Sequence, residues 1–387
     1  MKWILKTLLC VCLLNCFGLA ADQSDTVLNR IRPEAICAHV SFLADDLLEG
    51  RGTGTRGFDL AAKYIAAQFE AMGLEAGGVN ASFFQPISFR TAIPVPNETA
   101  LQIERNGKSE SLKWGLDYYS RGNTRQTKSS VHGQIVFVEH GVTASDFAID
   151  DYRGINVNGQ IVALLPGAPA SLPSAERAHY GNLRTKLDNA ISHGAIGAIQ
   201  VWDREAEEVR PFANGLREST AGTTVWLDQN GYPGGRRDDI QLLAVLSQDG
   251  TRKLFGDTVA PNKSSALAFT LSITTVSRHS EVVSPNIAGI LRGSDLQLRD
   301  EYVVYSAHAD HLGIGPPVNG DSIYNGAADN ALGTAALIEI ARTFVGMDSR
   351  PRRSLIFLAV TGEEKGATRL GVFCRESVSA QRREEMG

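Results

Sequence analysis

Two almost uninterrupted apolar runs, Tyr302–Ala307 and Ser354–Val360, constrain this chain more than any other feature. A strand with one wet face alternates apolar and polar residues. These runs do not, so both read as strands covered on both faces. Between them, Ala331–Phe344 places Leu332, Ala335, Ala336, Ile340 and Phe344 along one helical face. A strand, a helix and a second strand in succession make an α/β alternation.

Each element abuts ionisable residues. Tyr302–Ala307 runs into His308-Ala309-Asp310-His311, the helix is preceded by Asn325-Gly326-Ala327-Ala328-Asp329-Asn330, and Ser354–Val360 runs into Thr361-Gly362-Glu363-Glu364. Taken singly, each cluster has an ordinary structural reading. His308 suits a hydrogen-bonded core histidine, Asp329 or Asn330 a helix N-cap, and the paired glutamates a solvated acidic surface. Either His308 or His311 can offer an imidazole. Taken together, the clusters occupy the carboxyl ends of strands, where open α/β sheets build their sites. Imidazole nitrogen and carboxylate oxygen are the ligands zinc accepts. A zinc centre also needs an adjacent base, which a glutamate can be, and an aspartate can bridge two ions.

These strings resemble those of the bacterial zinc aminopeptidases, whose relatives include aminopeptidase Y, glutamate carboxypeptidase and glutaminyl-peptide cyclase. The resemblance is carried by Ser306–Gly313, Tyr324–Thr334 and Thr361–Gly366, and at the amino-terminal side by Phe42–Asp46 and Glu49–Thr55. It implies an α/β fold: a mixed-sheet zinc exopeptidase domain with an inserted β-rich protease-associated domain. It further implies two zinc ions, with His308 on one, Glu364 on the other and Asp329 bridging them. Glu363 would be the general base, Asp310 would orient His308, and a cis peptide would join Asp329 to Asn330. The implied activity is removal of amino-terminal residues from peptides. The alternatives are a carboxypeptidase or glutaminyl cyclase reaction at the same site, or a catalytically dead peptide-binding module.

The family pattern calls for one more Asp and one more His downstream, yet Ala367–Gly387 contains neither. After Gly366 the usual Leu-Leu-Gly-Ser continuation is also missing. A one-nucleotide shift of reading frame near Gly366 would restore it. A C-terminally incomplete catalytic domain is therefore expected, with impaired activity, weak zinc retention, poor solubility and uncovered apolar faces on the two strands.

The chain has 387 residues, 43% hydrophobic and 21% charged, enough for two packed cores. Its net charge of -5 offers no basic excess for nucleic acid. Lys2 and Lys6, the apolar run Thr7–Leu19 and the small residues Gly18 and Ala20 read as an export signal over residues 1–20. That run is too short to span a membrane comfortably, and the product is expected to be secreted or periplasmic. A lipoprotein at Cys16 is the lesser alternative. Cys37 and Cys374 would remain, too few for a disulfide framework.

The expected divisions are 21–129 for the first part of the peptidase domain, 130–275 for the protease-associated domain and 276–387 for the catalytic part. Phe58–Met72 reads as an amphipathic helix stopped by Gly73, and the glycine-rich Glu49–Thr55 as a tight surface turn. Within 130–275 one helix is expected, near Asn182–His193. Nothing in the sequence fixes an oligomeric state.

Overall fold

The computed structural model describes residues 29–234, 242–256 and 263–365. The expected signal, Cys374 and the tail beyond Lys365 lie outside these residues. The chain divides into two compact units, one formed by residues 1–88 with 282–387 and the other by Phe89–Glu281.

In the first unit the buried strand Ser354–Val360 lies between two partners. It runs antiparallel to Ile287–Leu291, the end of the long strand Ser265–Leu291, and parallel to Tyr302–His308. The sheet is thus mixed. Every residue of Ser354–Val360 is buried. Tyr302–His308 differs, because among the described residues it pairs only with Ser354–Val360 and Val303 remains 43% exposed. The expectation of two strands buried on both faces holds for one of them. Conversely, the lack of cover expected for both appears only on the edge strand.

Helices Arg56–Ala71 and Leu332–Val345 pack on this sheet through Phe58, Ile65, Phe69, Leu337 and Ile338, which close around Ile287 and Phe357. Thr55 caps the first helix by accepting from the Phe58 amide, and Gly73, at φ 74°, ends it one residue past the Met72 cap. On this helix Leu60 is exposed, while Ala62 and Ala66 are buried. Small residues let the helix lie close to its neighbours, which a count of large apolar residues does not register. Glu339, fully buried in the second helix, accepts from the Arg32 amide and the Arg342 guanidinium. Although burial works against the charged carboxylate, these hydrogen bonds hold its pKa down to about 2.

The second unit centres on four parallel strands, Lys128–Phe137, Ile161–Leu164, Gly197–Val201 and Leu242–Leu246. The hairpin Ala100–Arg105 and Lys108–Leu112 joins it through Thr270–Thr274, and Leu101, Ile103 and Leu112 share one core with Ile135, Ile161 and Ile199. This shared core is why the unit begins at Phe89 rather than near residue 130. Five helices occur among its described residues, Ser174–Gly181, Leu183–Ser192, Arg204–Val209, Phe212–Ala221 and Gln248–Phe255, where one was expected. None exceeds ten residues, too short for periodicity to stand out. Side-chain caps from Asn182, Asp203 and Ser247 mark three of their starts.

Burial shapes two titrations in this unit. Lys186 is wholly buried, with its ammonium donating to the Leu165 carbonyl at 2.7 Å, and burial pushes its pKa down to about 7 against the pull of Asp151. The Asp151 carboxyl is itself pushed up to about 6 by burial. Between pH 7 and the ordinary lysine value of 10.5, the unfolded chain holds the Lys186 proton that the folded chain has released. Stability therefore rises with pH in that window, by at most about 1.4 kcal/mol per pH unit. The urea midpoint followed through Trp114, Trp202 and Trp226 should increase from pH 7 to pH 9, and Lys186→Met should flatten the increase. Separately, Phe137→Ala should lower the unfolding free energy by about 3–5 kcal/mol in the same assay.

Candidate metal centre

The three polar clusters converge in the first unit. The parallel register sets Tyr302 opposite Ser354 and His308 opposite Val360, so both strands end at the same level. His308-Ala309-Asp310-His311 and Thr361-Gly362-Glu363-Glu364 consequently emerge side by side. The third cluster reaches them from the start of the Leu332–Val345 helix, because Asn330 Nδ2 and the Thr334 hydroxyl both donate to the His308 carbonyl, at 3.3 and 2.9 Å. Asn330 also accepts from the Gly333 amide at 3.0 Å, which divides the work of that cluster. Asn330 takes the capping role considered for either residue, and Asp329 faces His308. The Asp329–Asn330 peptide is cis.

His308 Nε2 lies 3.0 Å from Asp329 Oδ1, and His311 Nδ1 lies 2.8 Å from Glu364 Oε1. One ligand atom from each of His308, Glu363 and Glu364 falls within a 4.8 Å cluster, and the same is true of His311, Asp329 and Glu364. Glu364 belongs to both groups. An imidazole with two carboxylates, twice over and sharing a carboxylate, is a donor set that suits one or two zinc ions. His308, His311 and Glu364 are largely buried while Asp329 is exposed, so the cluster is open on the Asp329 side.

Asp310 sits beneath this cluster with its side chain fully buried. The contact that orients the His308 ring comes from the Asp310 backbone carbonyl, 3.1 Å from Nδ1; the carboxylate is 4.0 Å from the same atom. The carboxylate instead accepts from the Thr53 hydroxyl at 2.9 Å, the Glu363 amide at 3.1 Å and the Glu364 amide at 3.4 Å. One buried side chain thus fixes the backbone of both glutamates.

Glu49–Thr55 is not the surface turn expected of it. Arg51 is 1% exposed, and its guanidinium donates to the carbonyls of Leu43, Ala309, Asn325 and Gly326. Burial pushes its pKa down to about 10, partly offset by Asp310, which leaves it charged at neutral pH. The glycines serve close backbone approach. A Cβ on Gly50, at φ 66°, would stand 2.5 Å from the Tyr324 carbonyl, and one on Gly57 would stand 1.8 Å from that of Leu48. Reading the segment as a turn found the glycines but missed Arg51 and Thr53. Flexible polar residues give no sign in the sequence of the distant carbonyls and carboxylate they meet.

Residues 286–371 match the model of peptidase family M28. The M28 stretch holds His308, Asp310, His311, Asp329, Glu363 and Glu364, while Arg51 and Thr53 lie outside it. Over 300 residues, 64% of this chain, the protein is 31% identical to mouse aminopeptidase NAALADL1, and over 85 residues, 21% of this chain, it is 40% identical to human transferrin receptor protein 2. These alignments span 36% and 9% of the two relatives. Among solved structures, the aminopeptidase from Aneurinibacillus sp. strain AM-1 aligns with 18% identity and a TM-score of 0.45, over 88% of this chain and 65% of that one. A peptidase M28 precursor from Shewanella amazonensis SB2B aligns with 15% identity and a TM-score of 0.40, over 88% and 66%.

Asp310→Asn exchanges an acceptor of three hydrogen bonds for a group that has one acceptor oxygen and brings its own donors. The substitution should cost about 2–4 kcal/mol of unfolding free energy, read as a lower urea midpoint by far-ultraviolet circular dichroism.

Proposed function

We propose that this chain is a zinc-dependent metallo-aminopeptidase that hydrolyses amino-terminal residues from peptides. The observation that carries the reading is the convergence of His308, Asp329 and Glu364 around one open site, with Glu363 beside them and inside the M28 stretch. The similarity to an aminopeptidase supports the reaction class. In this reading His308, Asp329 and Glu364 would hold the zinc. Bound zinc would supply Lewis-acid polarisation of water and of the scissile carbonyl.

The chain's own groups handle positioning and the proton. Asp310 and the carbonyl next to it keep His308 and the Glu363-Glu364 backbone in register. Glu363 takes the proton of the attacking water and delivers it to the leaving amine nitrogen. Asp329, on the exposed side of the cluster, lies where substrate enters. Residues 130–275 are read as the protease-associated domain, and residues 1–20 as a signal that sends the protein to the periplasm or medium. No helix among the described residues is long and apolar enough to cross a membrane.

The rate is best expressed per bound zinc. Zinc-supplemented protein should release leucine from leucine anilide, and a chelator should stop it. Glu363→Gln should keep the metal and lower kcat by about 10²–10⁴-fold, whereas His308→Ala should lose metal. Chelator-resistant hydrolysis, or zinc content unchanged when His308, Asp329 and Glu364 are all replaced by alanine, would sink the proposal. Cleavage of N-acylated peptides from their carboxyl end, in preference to leucine anilide, would select the carboxypeptidase alternative.

A further inference from the structure

The segment Glu49–Gly57 supplies no ligand to the candidate centre, yet its polar atoms meet the end of Tyr302–His308 and the turn before Asp329 directly, and the Glu363-Glu364 turn through Asp310. Arg51 Nε donates to the Ala309 carbonyl at 3.0 Å, between His308 and Asp310 in sequence. Its Nη atoms donate to Asn325 at 2.7 Å and Gly326 at 2.9 Å, on the turn that leads to Asp329, and to Leu43. Its own carbonyl accepts from the His311 amide at 3.1 Å, and Gly52 bridges to His311 in parallel fashion. Two residues on, the Thr53 hydroxyl holds the Asp310 oxygen that also receives the Glu364 amide. The backbone is strained to achieve this: Glu49, Gly50 and Arg51 have φ of 51°, 66° and 50° in succession. Left-handed geometry at two non-glycine residues is costly and persists only where surrounding contacts enforce it.

We propose that Arg51 and Thr53 are positioning residues for the metal centre: Arg51 locks the His308 and Asp329 segments together through their carbonyls, and Thr53 locks the Glu363-Glu364 turn through Asp310. The proposal rests on the metal reading above. Its physical basis is that ligand atoms must be fixed before the ion arrives, otherwise binding must order three segments that are far apart in sequence. A planar guanidinium with five N–H groups can serve four carbonyls at once, which an ammonium cannot. The Thr53 hydroxyl contributes a single hydrogen bond to a carboxylate whose other donors are backbone amides, and so can be removed alone.

The test measures zinc affinity by competition with a chromogenic chelator, together with the melting temperature of the metal-free protein, for the whole chain and its variants. Thr53→Val keeps the shape and removes the hydroxyl. It should weaken zinc binding about 10–100-fold with little change in melting temperature, and Thr53→Ser should restore most of the affinity. Arg51→Lys should weaken zinc binding by at least as much. A Thr53→Val protein that melts earlier but binds zinc as the unsubstituted protein does would show a role in folding alone and overturn the proposal, with the metal reading intact. An unsubstituted protein that binds no zinc would overturn both.

Discussion

The carboxylate of Asp310 is the contact on which the rest of the site depends. A fully buried carboxylate would be very costly if unpaired, and this one is satisfied by a hydroxyl and two backbone amides from segments more than fifty residues away on either side. Because its acceptors are committed in this way, the Glu363-Glu364 turn cannot move without stranding it. The nearby Arg51 guanidinium supplies opposite charge inside the same low-dielectric region. Three segments distant in sequence are thereby locked around a small volume that imidazoles and carboxylates line.

That arrangement sorts residues by task. Asp329 is exposed and lies against His308, Asn330 beside it accepts from the Gly333 amide at the helix start, and Ala309 offers only its carbonyl. Adjacent positions do unlike work because the backbone there is extended or turning, and neighbouring side chains point different ways. The two histidines are similarly divided: His308 lies on Asp329 and His311 on Glu364.

Much of the fold was legible in the sequence. Ser354–Val360 was read with its observed bounds, the helix before Gly73 with bounds within two residues, and the three polar clusters were located at the strand and helix ends where they occur. Those features depend on local periodicity and on apolar runs. That Tyr302–His308 has one strand partner among the described residues was not legible, since strands with one and with two neighbours can have the same composition. Four of the five helices in Phe89–Glu281 were missed because each spans fewer than three turns. That the Ala100–Leu112 hairpin shares a core with strands well over a hundred residues further on was not legible either, because chain order does not display such pairings.

By itself the sequence determined which residue types meet: an imidazole after one strand, a carboxylate before a helix and two carboxylates after another strand, in a spacing whose chemistry is that of a metal centre. Only the tertiary structure decided who holds them. Asp310 turned out to orient His308 with its carbonyl and the glutamates with its carboxylate, and a glycine-rich segment read as a turn turned out to be buried against both. The physical reason is that strand and helix formation are governed by near neighbours, which the chain order displays. The partners of a buried guanidinium or carboxylate are chosen by distance in space, which chain order does not contain.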